Sequence, residues 1–280
     1  MVYVRISMKY GLRKRTLELL SKYGIRPKKR LSQSFLVNDF IVERLLMFLD
    51  LKPTDTVMDI GAGLGLLTKL IAEKVKMVIA VEIDPVLVRV LKDTTSGMNN
   101  VKIIESDIMK LNLPNVDKIF SNVPYNISSP LVIKLLRERC FKTAILTFQK
   151  EFGLRMLARP GTSSYGRLSV ITSLYGNVEK LMTIGRGSFY PPPRVDSIAI
   201  RLKPSGEEYI ELMSKVESLT AKLFSQRRRK VRKVLEKFNL KMPELPIEFL
   251  DKRVYELTPL EILKLAALLS NDISSHIAAS

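Results

Sequence analysis

The chain has one cysteine, one histidine and no tryptophan among its 280 residues. A lone Cys140 excludes a disulfide framework, a cysteine-built zinc site and a radical iron–sulfur cluster, since each needs several thiolates. That points to a reducing, intracellular setting. No run approaches the ~18 consecutive apolar residues of a membrane span, and the opening MVYVRISMKYGLRKR offers no apolar core for a signal peptide. The expectation is a soluble, cytoplasmic protein without a membrane partner. A basic, acid-poor start would also suit an organellar transit peptide, but residues needed for binding follow it without a break. Internal repeats and low-complexity segments are absent too.

Acidic residues are in short supply: 28 Asp and Glu face 46 Lys and Arg, leaving a net charge of +18. The excess is uneven. Residues 1–33 carry net +9, residues 34–200 net +5 and residues 201–280 net +4. The first cluster includes Lys28, Lys29 and Arg30. In the last segment Arg227, Arg228, Arg229 and Lys230 lead into Arg232 and Lys233 without an intervening acid. Val231, Val234, Leu235 and Phe238 recur there at helical spacing, which predicts a helix with one apolar stripe and a cationic opposite face. One such cluster reads as a solvated surface. Two of them flanking a near-neutral middle favour a nucleic acid, whose phosphates dominate affinity.

A chain of this length accommodates two domains. Short β-branched runs at 56–61, 77–83, 101–106, 117–123 and 143–148 read as buried strands, and helical periodicity fills the gaps between them. This alternation predicts an α/β, doubly wound, mostly parallel sheet. Extended segments at 178–184 and 197–202 would close one edge as an antiparallel addition, and KPSG at 203–206 reads as a linker. The expected division is a basic arm over 1–33, a ligand-binding catalytic domain over 34–203 and a small all-α domain over 204–280.

Gly61-Ala62-Gly63-Leu64-Gly65 follows the first of these strands and opens a helix. Glycines there allow a tight turn and close approach of a ligand. Glu82 ends the next strand, where such domains place the carboxylate that accepts from ribose hydroxyls, and Asp107 ends the third. Two ligands compete, a dinucleotide and S-adenosylmethionine. The dinucleotide fingerprint wants glycine where the chain has Leu66, which favours the methyl donor.

Asn122-Val123-Pro124-Tyr125 ends the fourth strand. An exocyclic amine on a base is a poor nucleophile because its lone pair is delocalised into the ring. An Asn oxygen and a carbonyl held by a proline turn both accept from that amine and favour a pyramidal nitrogen. Tyr125 supplies a stacking face for an extruded base. No general base is needed before attack, in keeping with a chain whose one histidine, His276, lies in a C-terminal tail expected to fray. Cys140 reads as a core thiol.

These segments resemble the KsgA-type ribosomal RNA adenine dimethyltransferases from about Arg26 to Leu269. The resemblance is carried by Leu31-Ser32-Gln33-Ser34-Phe35-Leu36, MDIGAGLG, Asn122 to Pro130, Gln149-Lys150-Glu151 with YGRLSV, Phe189 to Ser197, and FSQRRRKVRKVL. The Erm enzymes of large-subunit rRNA share the tetrapeptide but fit Pro130 and the proline triplet 191–193 less well. The resemblance implies a Rossmann-like class I methyltransferase that dimethylates N6 of two adjacent adenosines near the 3′ end of small-subunit rRNA, during late subunit assembly. It implies that Ser34, Leu36, Gly61, Gly63, Glu82, Asp107 and Asn122 contact the donor, Glu82 at the ribose and Asp107 at the adenine. Asn122 and Pro124 would activate the target amine, with Tyr125 and Phe189 stacking on its base. Phe189 is expected to stand apart from the core. Ser34 departs from the Asn or His usual in the family, which bears on donor affinity. No metal is expected, and a monomer is. The competing readings are an assembly factor acting mainly by binding, and methylation of a large-subunit adenine, DNA or a protein amide.

Overall fold

The computed structural model describes residues 10–28, 31, 33–240 and 246–277. In chain order its elements are α1 (Leu12–Lys22), β1 (Phe35–Leu36), α2 (Asp39–Leu49), β2 (Thr56–Ile60), α3 (Leu66–Ala72), β3 (Met77–Glu82), α4 (Pro85–Thr94), β4 (Val101–Glu105), β5 (Lys118–Asn122), α5 (Ser128–Glu138), β6 (Thr143–Gln149), α6 (Lys150–Met156), α7 (Arg167–Tyr175), β7 (Gly176–Ile184), β8 (Phe189–Tyr190), β9 (Ser197–Pro204), α8 (Met213–Phe224), α9 (Val231–Lys237), α10 (Ile247–Asp251) and α11 (Pro259–Ile277). His276 falls in the last turn of α11. No helix among the described residues is long and apolar enough to cross a membrane.

Seven strands form one sheet in the order β4-β3-β2-β5-β6-β9-β7. From β4 to β6 every pairing is parallel, and β9 runs antiparallel to β6, from Ala144↔Leu202 to Gln149↔Ser197. The central strands are buried on both faces, which is why they read as continuous apolar runs. Strand order reverses between β2 and β5. The carboxyl ends of β2, β3 and β5 therefore meet beside a crevice, the place where open α/β sheets bind ligands. At the edge, β9 lies against β6 and β7 lies outside it.

Local signals explain the helix starts. Asn38 caps α2 through Ile41 N–H, and Asp84 caps α4 through Val86 N–H with Pro85 at the first position. The amino end of α1 carries exposed Arg13, Lys14 and Arg15, whose charges oppose the helix dipole. Asp39 offsets them: its carboxylate accepts from the backbone N–H groups of Tyr10, Gly11 and Leu12. Leu12, Thr16 and Leu20 turn inward, so residues 12–22 of the expected arm are a packed helix.

The chain divides into two compact units, Met1–Gly153 with Glu179–Lys203, and Leu154–Val178 with Pro204–Ser280. The second is not one continuous tail: residues 154–178 belong with the C-terminal helices. Tyr165 accounts for much of this, donating its hydroxyl to the Leu257 carbonyl at 2.8 Å and packing edge-on against Phe224. Gly206 closes against the Leu174 carbonyl with φ +67, where an added Cβ would stand 1.9 Å from that oxygen. The cationic stretch after α8 is not one helix. Arg227, Arg228 and Arg229 lie on a turn before α9, because the backbone there bonds to another segment: Tyr255 N–H reaches Arg227 O, Val254 N–H reaches Arg229 O, and Val231 N–H reaches Lys252 O.

Candidate active site

The glycine turn after β2 is shaped by close packing. Gly63 has φ +59, and a Cβ there would press on the Phe35 ring at 3.2 Å; Gly65 has φ +80, and its Cβ would lie 2.7 Å from Leu91 Cδ1. Both positions therefore need glycine. Glu82, at the end of β3, holds the turn in place. Its Oε2 accepts from Gly63 N–H at 2.8 Å, while Oε1 accepts from Ile83 and Asp84 N–H at 2.9 Å each. Three of the four lone-pair positions of the carboxylate are thus filled. Burial raises the Glu82 pKa against the opposing effect of those three bonds.

Beside this turn lies a cavity of about 270 Å³. Ser34, Leu36, Gly61, Gly63, Glu82, Asp107, Asn122 and Pro124 all line it. Asp107 follows β4, and its Oδ1 accepts from Met109 N–H at 2.9 Å. Its Oδ2 has no protein partner among the described residues and is open to a donor from a ligand.

Asp59, which the sequence reading passed over, also lines the cavity. It is 3% exposed near the carboxyl end of β2 and accepts from Thr68 Oγ1 at 2.6 Å. Complete burial pushes its carboxyl up to about 7; the Thr68 bond opposes the shift and the Glu82 charge adds to it. A carboxylate inside an otherwise apolar buried strand is the signal that marks it in the sequence. Three carboxyl groups, Asp59, Glu82 and Asp107, therefore border the cavity, and none of its described lining residues is Lys, Arg or His.

Asn122 ends β5 with both ends of its amide engaged. Nδ2 donates to the Ser34 carbonyl at 2.7 Å, and Oδ1 accepts from Thr147 Oγ1 at 2.6 Å. Ser34 spends its own hydroxyl on the Pro191 carbonyl at 2.7 Å. The Tyr125 hydroxyl pairs with Ser197 Oγ at 3.1 Å, and burial raises the Tyr125 pKa despite that bond. Tyr125 stands next to Pro124 but outside the described lining.

Phe189 departs from expectation. It is 2% exposed and packs with Leu36, Ile41 and Leu45 in the core. The reason is a small sheet absent from the sequence reading, in which β1 pairs with β8 and sets Leu36 opposite Phe189. Cys140 is buried, as expected of a core thiol, and burial pushes its pKa up to about 11.

The expected RNA-contacting cations fall into three groups. Lys29 and Arg30 lie outside the described residues. Lys28, Arg227 and Lys230 are engaged within the protein. Lys28 Nζ reaches both Asp84 oxygens at 2.8–2.9 Å, and Gln33 Nε2 reaches the same carboxylate at 2.9 Å. Burial alone would raise the Asp84 pKa, but these bonds and the Val86 N–H outweigh it, and the pKa is lowered. Arg227 donates to the Thr162 and Tyr165 carbonyls and lies 5.3 Å from the centre of the Tyr255 ring. Lys230 pairs with Asp251 at 3.1 Å. Arg228 and Arg229 remain exposed, without an ion pair among the described residues.

Comparison with known proteins adds an independent line. A family profile described as ribosomal RNA adenine dimethylase matches residues 24–271. A protein of Methanothermobacter thermautotrophicus named "Probable ribosomal RNA small subunit methyltransferase A" is 38% identical over 266 residues, covering 91% of this chain and 96% of its own. Among solved structures, a dimethyladenosine transferase from Plasmodium falciparum superposes with a TM-score of 0.73 at 31% identity, covering 82% of this chain and 95% of its own. The 23S rRNA methyltransferase ErmE gives a TM-score of 0.63 at 26% identity, covering 84% of this chain and 99% of its own.

Proposed function

The chain belongs to the ribosomal RNA adenine dimethylase family, and from that premise we propose that it transfers methyl groups from S-adenosylmethionine to N6 of two adjacent adenosines near the 3′ end of small-subunit rRNA. The cavity fits that donor. A dinucleotide would bring a diphosphate to a wall of three carboxyl groups with no described cation, whereas a ligand carrying sulfonium and ammonium charges is favoured there. The open Asp107 Oδ2 suits an adenine amine, and Glu82 retains one acceptor position for a ribose hydroxyl.

One observation carries the chemistry: Asn122 stands at the cavity wall with its amide oriented and one Oδ1 lone pair unused by the protein. When bound, the donor supplies an electrophilic methyl on a cationic sulfur. Asn122 Oδ1 accepts one N6–H of the adenine, which localises the nitrogen lone pair on the side facing the methyl. The Pro124 carbonyl, expected to accept the other N6–H, is instead turned into its own chain, where it receives Ile127 N–H at 3.1 Å and Ser128 Oγ at 3.5 Å; the proline's part is to hold the turn after Asn122. The N6–C bond forms as the C–S bond breaks, the bonding pair stays on sulfur, and the proton leaves the alkylated nitrogen for solvent. Alignment of the reactants supplies most of the acceleration. Tyr125, its hydroxyl held by Ser197, offers a ring face to the extruded base.

In this reading the unit bearing the sheet holds the donor, and the C-terminal helices bind RNA through Arg228 and Arg229. The protein acts as a monomer in the cytoplasm without a metal. The test is transfer of labelled methyl to immature small subunits, large subunits and naked RNA, followed by mass analysis of the nucleosides. Dimethyladenosine confined to small-subunit rRNA is expected, and Asn122→Ala should abolish it while still binding donor. Wild-type-like turnover by that variant, or label in large-subunit rRNA alone, overturns the proposal.

A further inference from the structure

The orientation of the Asn122 amide is determined by its two neighbours. A backbone carbonyl only accepts hydrogen bonds, so the group 2.7 Å from Ser34 O has to be the amide nitrogen. Turned the other way, Asn122 would set two acceptors against each other at that distance. The oxygen is thereby directed to Thr147, whose hydroxyl donates to it at 2.6 Å. Thr147 is 1% exposed, so bulk water does not compete for that proton. It lies opposite Asn122 in the parallel β5–β6 ladder, and its carbonyl accepts from Val123 N–H at 3.2 Å. Strand β6 therefore grips the catalytic loop at two consecutive residues.

We propose that Thr147 is a positioning residue for methyl transfer, fixing the Asn122 amide so that one Oδ1 lone pair is kept for the target amine. The inference rests on the activity proposed above and extends it to a side chain that touches neither donor nor base. An amide oxygen offers two lone pairs, and Thr147 occupies one. Without the hydroxyl, the amide is held only through Nδ2, and its terminal torsion has a broad, soft profile. An acceptor that swings no longer keeps the N6 lone pair on line with the methyl. Such misalignment lowers the rate of transfer more than the binding of either substrate.

Thr147→Val removes the hydroxyl at nearly constant shape, and Thr147→Ser restores it. Losing one neutral hydrogen bond that acts in the transition state should reduce kcat about 10-fold in Thr147→Val. The KM for RNA and the donor affinity should be unchanged, and Thr147→Ser should recover most of the rate. A role in folding alone would lower thermal stability while leaving kcat per folded molecule intact. A second readout needs no turnover: in protein labelled with ¹⁵N-asparagine, the Asn122 side-chain amide is assigned by its loss in Asn122→Ala. Its two protons should exchange slowly in wild type and in Thr147→Ser, and faster in Thr147→Val. Equal kcat and equal exchange in wild type and Thr147→Val overturn the proposal, as does a serine variant as slow as the valine one. If wild type methylates no RNA, the activity reading fails on its own, and amide exchange still decides whether Thr147 orients Asn122.

Discussion

Replacing Asp59 by Asn should stabilise the donor-free protein, and by an amount that depends on pH in a defined way. The carboxyl is fully buried, and its pKa in the folded chain is about 7 against 3.8 in the unfolded one. Below pH 4 both states hold the proton, so the contribution of this group to stability is then at its maximum. As pH rises from 4 to 7 the unfolded chain ionises while the folded chain does not, and stability is lost over that window; above 7 the loss is complete. Three pH units at about 1.4 kcal/mol each amount to roughly 4 kcal/mol. Asparagine does not titrate, so the difference between Asp59→Asn and wild type should grow by about 1.4 kcal/mol per unit from pH 5 to 7 and level off by pH 8. Urea unfolding of both proteins at each pH measures it. Taking the difference cancels Asp84, Asp117 and Glu261, whose pKa values are lowered and whose contributions are lost toward acid instead. A difference that stays constant from pH 5 to 8 would show that Asp59 is ionised throughout, and the burial argument would fail.

Two further outcomes separate cations that face solvent from cations that hold the fold. Lys28→Ala should destabilise the protein by about 1 kcal/mol, because it strips a half-exposed partner from the buried Asp84 carboxylate. The slope of log K for RNA against log salt should be unchanged; a shallower slope with unaltered stability would place Lys28 on a phosphate. Reversing Arg228 and Arg229 to Glu should weaken RNA binding and flatten that slope by about two. Arg227→Ala should instead lower the melting temperature, since its guanidinium holds the Thr162 and Tyr165 carbonyls. An unchanged slope in the double reversal would remove the turn before α9 from the RNA-binding surface.

Legibility in the sequence followed the range of the interactions involved. The strands were readable because a parallel sheet buries both faces and leaves short, nearly continuous apolar runs. That the glycine turn, Glu82 and Asn122 line one cavity was readable because the carboxyl ends of neighbouring parallel strands share one edge of the sheet. What stayed hidden depends on partners distant in sequence. Lys28 finds Asp84 56 residues away, and Arg227 finds Thr162 65 residues away; a run of cations gives no hint that some of its members face inward. Phe189 was misread because pairing of two-residue strands leaves no periodic signature, and that pairing sends its ring into the core. Residues 154–178 join the C-terminal helices through Tyr165, whose hydrogen bond to Leu257 spans 92 residues. Thr147 looked like one more β-branched strand residue until the β5–β6 register put it beside Asn122.

The charge of the cavity bears on rate as well as on recognition. A wall of three ionised carboxylates would hold a sulfonium more tightly than the neutral thioether left after transfer. In the transition state that charge is already dispersing, so part of the attraction would stabilise the ground state and slow the chemistry. A proton on Asp59 near neutral pH limits this cost. Raising the pH from 6 to 8 ionises Asp59 and should tighten donor binding about 10-fold in wild type, while kcat fails to rise in proportion. Asp59→Asn, neutral at every pH, should show a smaller rise in donor affinity over the same range and keep its kcat. Isothermal titration at several pH values, paired with single-turnover transfer, separates the two effects. If affinity in Asp59→Asn rises with pH as steeply as in wild type, the titrating group lies elsewhere, and Asp59 does not set the charge of the pocket.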